Sequence, residues 1–181
     1  VARKAISLLA DGVRDGAAAR AAHDYLFTYR SGKVSATLNI VSVDLNTSTI
    51  RLACNNPAPV YILSSAGLET VGGDSEAVGV RPNTRPVITE YTLTEGLAFV
   101  VSTDGLLHAG NRKGTPLDLS ASLLRLHAES PGDAQKWADS LLAEAVALDD
   151  GRPGDDISVL ALTVREGKRD EVRRLSLSLP I

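Results

Sequence analysis

The sequence predicts an α+β fold in which helices precede and follow a run of antiparallel strands. Hydrophobic residues keep a helical period over residues 2–30, alternate with a period of two over residues 34–103, and return to a helical period over residues 118–148. A last alternating segment covers residues 155–164. Elements grouped in this way argue against a doubly wound nucleotide-binding sheet, in which strands and helices alternate.

The first two elements are expected to be helices with a short break between them. Residues 2–10 carry alanine, isoleucine and leucine at helical spacing, and the segment ADGVRDG ends that helix. Asp15 is expected to cap a second, alanine-rich helix that ends near Arg30.

Six strands are expected in the middle of the chain, where valine, isoleucine and threonine suit a pleated surface and turn residues separate the segments. They span residues 34–45, 49–54, 60–63, 68–71, 87–93 and 97–103. We expect these strands to follow one another as an antiparallel meander, with residues 72–86 as a loop close to a functional site.

Two helices and a strand are expected to complete the domain. The segments are a helix at residues 118–129, a longer helix within residues 130–150, and a strand at residues 155–164. Ser130 or Asp133 is expected to cap the longer helix. Residues 165–181 are expected to form a C-terminal extension or edge strand, so that residues 1–181 make a single domain.

Charge and cysteine content exclude several classes of protein. The 181-residue chain has a formal net charge of −3, which argues against a nucleic-acid partner. No apolar run approaches membrane-spanning length, so we expect no membrane partner. The single cysteine, Cys54, is expected to be a buried, unreactive thiol, and a chain without internal disulfides is typical of the cytoplasm.

Two short motifs place acidic residues beside glycine at the ends of predicted strands. Asp104 and Gly105 follow the segment FVVST, and Asp155 and Asp156 lie in the segment GDDIS. An Asp-Gly pair alone is most simply a turn. If the two strands are neighbours, however, the carboxylates converge at one sheet edge, where their repulsion favours a bound cation. Mg²⁺ and Mn²⁺ prefer such oxygen ligands, so the motifs together indicate a metal site.

Other reactive groups are less informative. None of the three histidines has the spacing of a zinc site, and no GxSxG segment indicates a nucleophilic serine. His108 lies nearest to the first acidic motif, although an exposed loop position is the simpler interpretation. The loop cations that could bind an anion are Arg81, Arg85, Arg112 and Lys113, each of which singly is most simply a solvated charge.

Four segments, in their order and spacing, resemble the bacterial PPM-type protein serine/threonine phosphatases, in particular the SpoIIE/RsbU/RsbX branch. They are SATLNIVSVDL, TIRLACNNPAPVYIL, LAFVVSTDGLLHA and GDDISVLALTV. The resemblance implies an α-β-β-α sandwich, in which helix pairs flank two antiparallel sheets. It also implies two Mn²⁺ or Mg²⁺ ions and no protein nucleophile, because a metal-activated water attacks phosphorus in this family.

Matching the motifs gives the expected site residues. The resemblance implies that Asp104 and Asp155 are metal ligands, and that Asp156 shares or takes over the role of Asp155. The candidates for substrate binding are Gly105, His108 and Arg81.

The sequence departs from the family pattern in two places. The family has an earlier Asp-Gly motif on a hairpin, and Asp11-Gly12 does not match it because this pair follows a helix. We therefore expect that motif, and the first strands of the domain, to lie upstream of Val1. Asn55 and Asn56 stand where many relatives have a Gly-His pair.

The resemblance implies metal-dependent hydrolysis of phosphoserine or phosphothreonine on a protein. In this branch the usual substrate is an anti-sigma-factor antagonist or a stressosome protein with a STAS fold. The alternative is a catalytically inactive pseudophosphatase that acts as a regulatory binding module, because the first metal motif is not in the sequence.

Overall fold

The structure is a computed structural model that describes residues 1–166 as an α+β sandwich. The helices are α1 (Ala2–Ala10), α2 (Asp15–Arg30), α3 (Asp104–His108), α4 (Leu119–Glu129) and α5 (Ala134–Leu148). The strands are β1 (Leu38–Asp44), β2 (Thr49–Asn55), β3 (Val60–Ser64), β4 (Gly67–Val71), β5 (Val87–Thr92), β6 (Ala98–Ser102) and β7 (Val159–Thr163). The predicted α+β class and the α-β-β-α layering are confirmed.

The strands form two antiparallel sheets rather than one meander. The first sheet has the order β1-β2-β5, and the second has the order β4-β3-β6-β7. The expected meander was wrong because the chain leaves the first sheet after β2 and returns to it only with β5. Pro57 and Pro59 lie at the first crossing, where proline cannot donate to a continuing ladder.

Alternate side chains of a strand belong to different layers of the core. Ile50, Leu52 and Cys54 of β2 lie in the cluster between the two sheets, whereas Ala53 packs with residues of α2. Cys54 is 1% exposed, as expected for a structural thiol. Successive side chains of a strand point to opposite faces, so one strand supplies both layers.

The flanking helices pack through small or periodic apolar faces. Ala18 and Ala19 of α2 are fully buried against the first sheet. On the other side, Trp137, Leu141 and Ala145 of α5 recur every four residues and are buried with the second sheet. The carboxylate of Asp133 caps α5 by accepting a hydrogen bond from the Lys136 amide at 3.0 Å, in agreement with one of the two predicted caps.

Two local predictions were wrong near the start of the chain. Asp15 does not cap α2: the preceding Arg14 is the cap residue, and Asp15 Oδ1 instead accepts a hydrogen bond from Ser42 Oγ at 2.7 Å. This contact ties the helix to β1. The first strand begins at Leu38 rather than at residue 34, because Ala36 pairs in an isolated bridge with Val78.

The end of the chain is described only in part. Arg165 and Glu166 are not in a strand, and the remainder of the predicted edge strand, residues 167–181, lies outside the described residues. Within residues 1–166, no helix combines the length and apolar character that crossing a membrane requires.

Candidate active site

The two acidic motifs lie at the same edge of the second sheet. β6 and β7 are antiparallel neighbours, with Ser102 opposite Val159. The end of β6 and the start of β7 therefore coincide at one edge. Asp104 follows β6 by two residues, and Asp155 and Asp156 shortly precede β7. The proximity of the two strands, on which the metal-site hypothesis depended, is confirmed.

The Thr103 side chain joins the two motifs directly. Its Oγ1 donates a hydrogen bond to the carbonyl oxygen of Asp156 at 2.9 Å and accepts one from the Ser158 amide at 3.0 Å. The Thr103 amide also donates to the Ser158 carbonyl oxygen at 3.1 Å. Three hydrogen bonds thus fix the backbone next to Asp104 against the segment that carries Asp155 and Asp156.

Gly105 allows this close approach of the two segments. A Cβ atom added to Gly105 would lie 2.5 Å from the carbonyl oxygen of Asp156, which is far inside van der Waals contact. Any larger residue would push the motifs apart. The Asp-Gly pair is also not a hairpin turn, because Asp104 is the first residue of the short helix α3, which the sequence did not predict.

Asn56 supports the end of β6 from the neighbouring loop. Its side chain is buried, its Nδ2 donates to the Ser102 carbonyl oxygen at 3.2 Å, and its Oδ1 accepts from the Ala58 amide at 2.9 Å. Ser75 Oγ donates to the Asn56 carbonyl oxygen at 2.8 Å, which attaches the loop at residues 72–86. This role of Asn56 was not predicted from the sequence, although a polar residue directly after a buried strand indicates a side chain that needs hydrogen-bond partners.

The acidic side chains differ in exposure. Asp104 is half-buried, whereas Asp155 and Asp156 are exposed. The Oδ1 atom of Asp155 accepts a hydrogen bond from the Asp156 amide at 2.8 Å. Within residues 1–166, none of these three carboxylates forms an ion pair with lysine or arginine.

The set of oxygen donors is small, but it fits a hard divalent cation. No group of three or more histidine, cysteine or acidic side chains among residues 1–166 is placed to hold a metal ion. Mg²⁺, however, is commonly bound through one or two carboxylates and retains several water ligands. Asp104 and Asp155 lie at one sheet edge and form no ion pair among residues 1–166, and their oxygen atoms are the ligands that such an ion prefers.

A cavity of about 220 Å³ lies beside Asp155. Two of the predicted substrate-binding residues, Gly105 and His108, line this cavity together with Asp155 and Arg112. His108 is exposed to solvent, as the simpler interpretation of the sequence expected. We call this space the Asp155 cavity.

Arg81, the third predicted substrate-binding residue, does not line the Asp155 cavity. Its Nη1 is 2.6 Å from Glu76 Oε1, and its side chain is 73% exposed. It borders a different cavity with Pro57 and Ser75. The loop cation that lies beside the acidic motif is Arg112. From the sequence, Arg112 was included among the loop cations but was not chosen as a substrate-binding residue.

The layered fold is that of PP2C-type phosphatase domains. Residues 2–165 match the family model of stage II sporulation protein E (SpoIIE). The chain therefore belongs to the SpoIIE family, as its motifs indicated. No curated protein matches the chain.

Solved structures show the same fold at low sequence identity. The PP2C phosphatase domain with a regulatory-domain fragment of SpoIIE from Bacillus subtilis is 18% identical, with a TM-score of 0.70 over 88% of this chain and 47% of that chain. The RsbU and RsbW domains of Rv1364c from Mycobacterium tuberculosis are 19% identical, with a TM-score of 0.69 over 90% of this chain and 45% of that chain.

A further neighbour carries metal. The catalytic domain of the serine/threonine phosphatase PstP in complex with two manganese ions is 15% identical, with a TM-score of 0.65 over 91% of this chain and 80% of that chain. PstP is a protein of Mycobacterium tuberculosis. The chain spans about half the length of the SpoIIE and Rv1364c structures that it matches.

Proposed function

We propose that the protein is a metal-dependent phosphatase that hydrolyses phosphoserine or phosphothreonine on a protein substrate. The observation that supports this proposal most strongly is the Thr103 contact, which holds two acidic motifs together at one sheet edge. Membership of the SpoIIE family and the PP2C fold of the neighbours give the same indication.

The chain's own residues supply the binding and positioning groups. Asp104 and Asp155 would hold Mn²⁺ or Mg²⁺, with Asp156 adjacent to share the charge. When bound, such ions neutralise phosphoryl oxygens and acidify water, so that no side-chain nucleophile is required. Thr103 fixes the relative position of the acidic motifs, and Gly105 leaves room for their close approach. Two ions are proposed, as the sequence resemblance implies.

The proposed substrate is a phosphorylated STAS-fold regulator of a sigma factor, in a cytoplasmic stress response. The support is family membership together with the fold shared with part of the structure that contains the RsbU and RsbW domains of Rv1364c. A panel that compares a phosphorylated STAS protein with an unrelated phosphoserine protein tests it. Equal kcat/KM for the two substrates would contradict this choice of substrate.

The direct experiment is a phosphate-release assay on the full-length protein. With Mn²⁺ and a phosphoserine protein, we expect release that EDTA abolishes. Asp104→Asn should lower the rate at least about 100-fold, because a carboxylate that holds the ion is lost. Without metal, this variant should melt no lower than wild type, since it removes repulsion between carboxylates.

A catalytically inactive regulatory module is the second candidate. It is favoured by one observation, that residues 1–166 contain no group of three metal-binding side chains. The same assay separates the candidates. No metal-dependent release by the folded full-length protein would exclude the proposed catalytic role and favour the inactive module. Full activity in Asp104→Asn would exclude Asp104 as a ligand of the metal ion.

A further inference from the structure

Arg112 places a cation directly beside the second acidic motif. A Cβ atom added to Gly154 would lie 2.6 Å from Nη2 and 2.9 Å from Cζ of Arg112, so the guanidinium group lies over that glycine. Gly154 immediately precedes Asp155, and Arg112 and Asp155 both line the Asp155 cavity. Among residues 1–166, Arg112 forms no ion pair.

The turn that carries Arg112 is attached to the segment after α5. The Gly110 amide donates a hydrogen bond to Asp149 Oδ1 at 3.1 Å, and Lys113 forms an ion pair with Asp150. The two neighbouring cations therefore differ. The charge of Lys113 is compensated by a carboxylate, whereas the guanidinium group of Arg112 borders the cavity.

We propose that Arg112 binds the phosphoryl group of the substrate in the Asp155 cavity, an inference that rests on the proposed phosphatase function. A guanidinium group offers paired N–H donors that match two oxygens of a phosphate. The acidic residues Asp149 and Asp155 also line the cavity, and their negative charges repel an anion unless a cation is bound. Arg112 therefore binds phosphate when the acidic motif holds its metal ion.

Steady-state kinetics on the full-length protein in Mn²⁺ test this role. The substrates are p-nitrophenyl phosphate, which carries no peptide, and phosphoserine peptides with and without flanking acidic residues. Arg112→Ala should raise KM about 10- to 100-fold for all of them, because charge-assisted hydrogen bonds to the phosphoryl group are lost. Arg112→Lys should recover part of that loss, since it keeps the charge but not the paired donors.

Lys113→Ala is the matched control, because it removes the neighbouring cation and only an exposed ion pair. Its KM should stay within about twofold of wild type. Equal effects of Arg112→Ala and Lys113→Ala would overturn the proposal. A KM increase confined to peptides with flanking acidic residues would also overturn it, because Arg112 would then bind a side chain of the substrate and not its phosphoryl group.

Binding of inorganic phosphate, measured by calorimetry in Mn²⁺, separates this proposal from the proposed function. Wild type and Lys113→Ala should bind phosphate with similar affinity, and Arg112→Ala should bind at least about tenfold more weakly. If the protein binds phosphate in this way but hydrolyses no substrate, the proposed catalytic function is wrong and the phosphate site at Arg112 remains supported. Absence of phosphate binding by wild type, or equal binding by Arg112→Ala, would overturn the site.

Gly154→Ala tests the position of Arg112 by a different route. The added methyl group meets the flexible end of the Arg112 side chain, so it should displace the guanidinium group at little cost in stability. We expect it to raise KM in the wild-type background and to have no further effect in Arg112→Ala. An equal KM increase in both backgrounds would contradict the proposed position, because the substitution would then act through Asp155.

Discussion

Replacing Thr103 by valine removes the hydroxyl that joins the two acidic motifs while keeping the shape of the side chain. The variant loses the hydrogen bond to the Asp156 carbonyl oxygen at 2.9 Å and the one from the Ser158 amide at 3.0 Å. Each hydrogen bond contributes about 0.5–1.5 kcal/mol, and water reaches this site, so the expected loss is about 1–2 kcal/mol. The backbone contact from the Thr103 amide to Ser158 remains and limits the loss.

Thermal melts and urea unfolding of the full-length protein without metal measure this effect. For a chain of this size, each kcal/mol lowers Tm by about 2–4 °C. Thr103→Ser is the control, because it keeps the hydroxyl and should retain most of the stability. Unfolding of Thr103→Val at the wild-type midpoint would refute the reasoning, and so would an equal loss in Thr103→Ser.

Three further variants test the packing around the site by unfolding and by pH. Gly105→Ala should cost about 1–3 kcal/mol, because its Cβ would lie 2.5 Å from the Asp156 carbonyl oxygen; a wild-type urea midpoint would contradict the close approach. Asn56→Ala should cost about 2–4 kcal/mol, since two buried hydrogen bonds are lost, one of them to Ser102; a loss below about 0.5 kcal/mol would contradict the support role. Burial raises the pKa of Cys54 from 9.0 to about 11, so the neutral thiol adds stability that disappears as the pH rises from about 9 to about 11. The Tm values of wild type and Cys54→Ala should therefore converge over that pH range. A difference in Tm that does not change with pH would contradict the raised pKa of Cys54.

The layers of the fold were predictable because they depend on hydrophobic periodicity. Residues such as Trp137, Leu141 and Ala145 mark a buried helix face, and the alternation at Ile50 and Leu52 marks a strand between two layers. The division into two sheets was not predictable from the period alone. It depends on which strands pair, and pairing between distant segments leaves no local signal.

The acidic motifs of the candidate site were predictable, but their supporting contacts were not. Asp104 and Asp155 stand out because each is an acid beside glycine, the first just after an apolar strand and the second just before one. The bridging role of Thr103 depends on contacts with residues 53 and 55 positions further along the chain, and the position of Arg112 likewise depends on a contact with the distant Gly154. The prediction for Asp15 failed for the same reason. Its position in the sequence is typical of a helix cap, but its side chain instead accepts a hydrogen bond from Ser42 on a strand distant in sequence.

Calorimetric titration of the full-length protein with Mn²⁺ tests most directly whether the acidic motifs hold a metal ion. Asp104→Asn and Asp155→Asn should each weaken binding at least about tenfold, because affinity for hard cations depends on the number of charged ligands. Asp139→Asn, which makes the same change of charge at an exposed position of α5, should bind as wild type does. Wild-type affinity in Asp104→Asn, or equal weakening in all three variants, would contradict a metal site at the meeting point of β6 and β7.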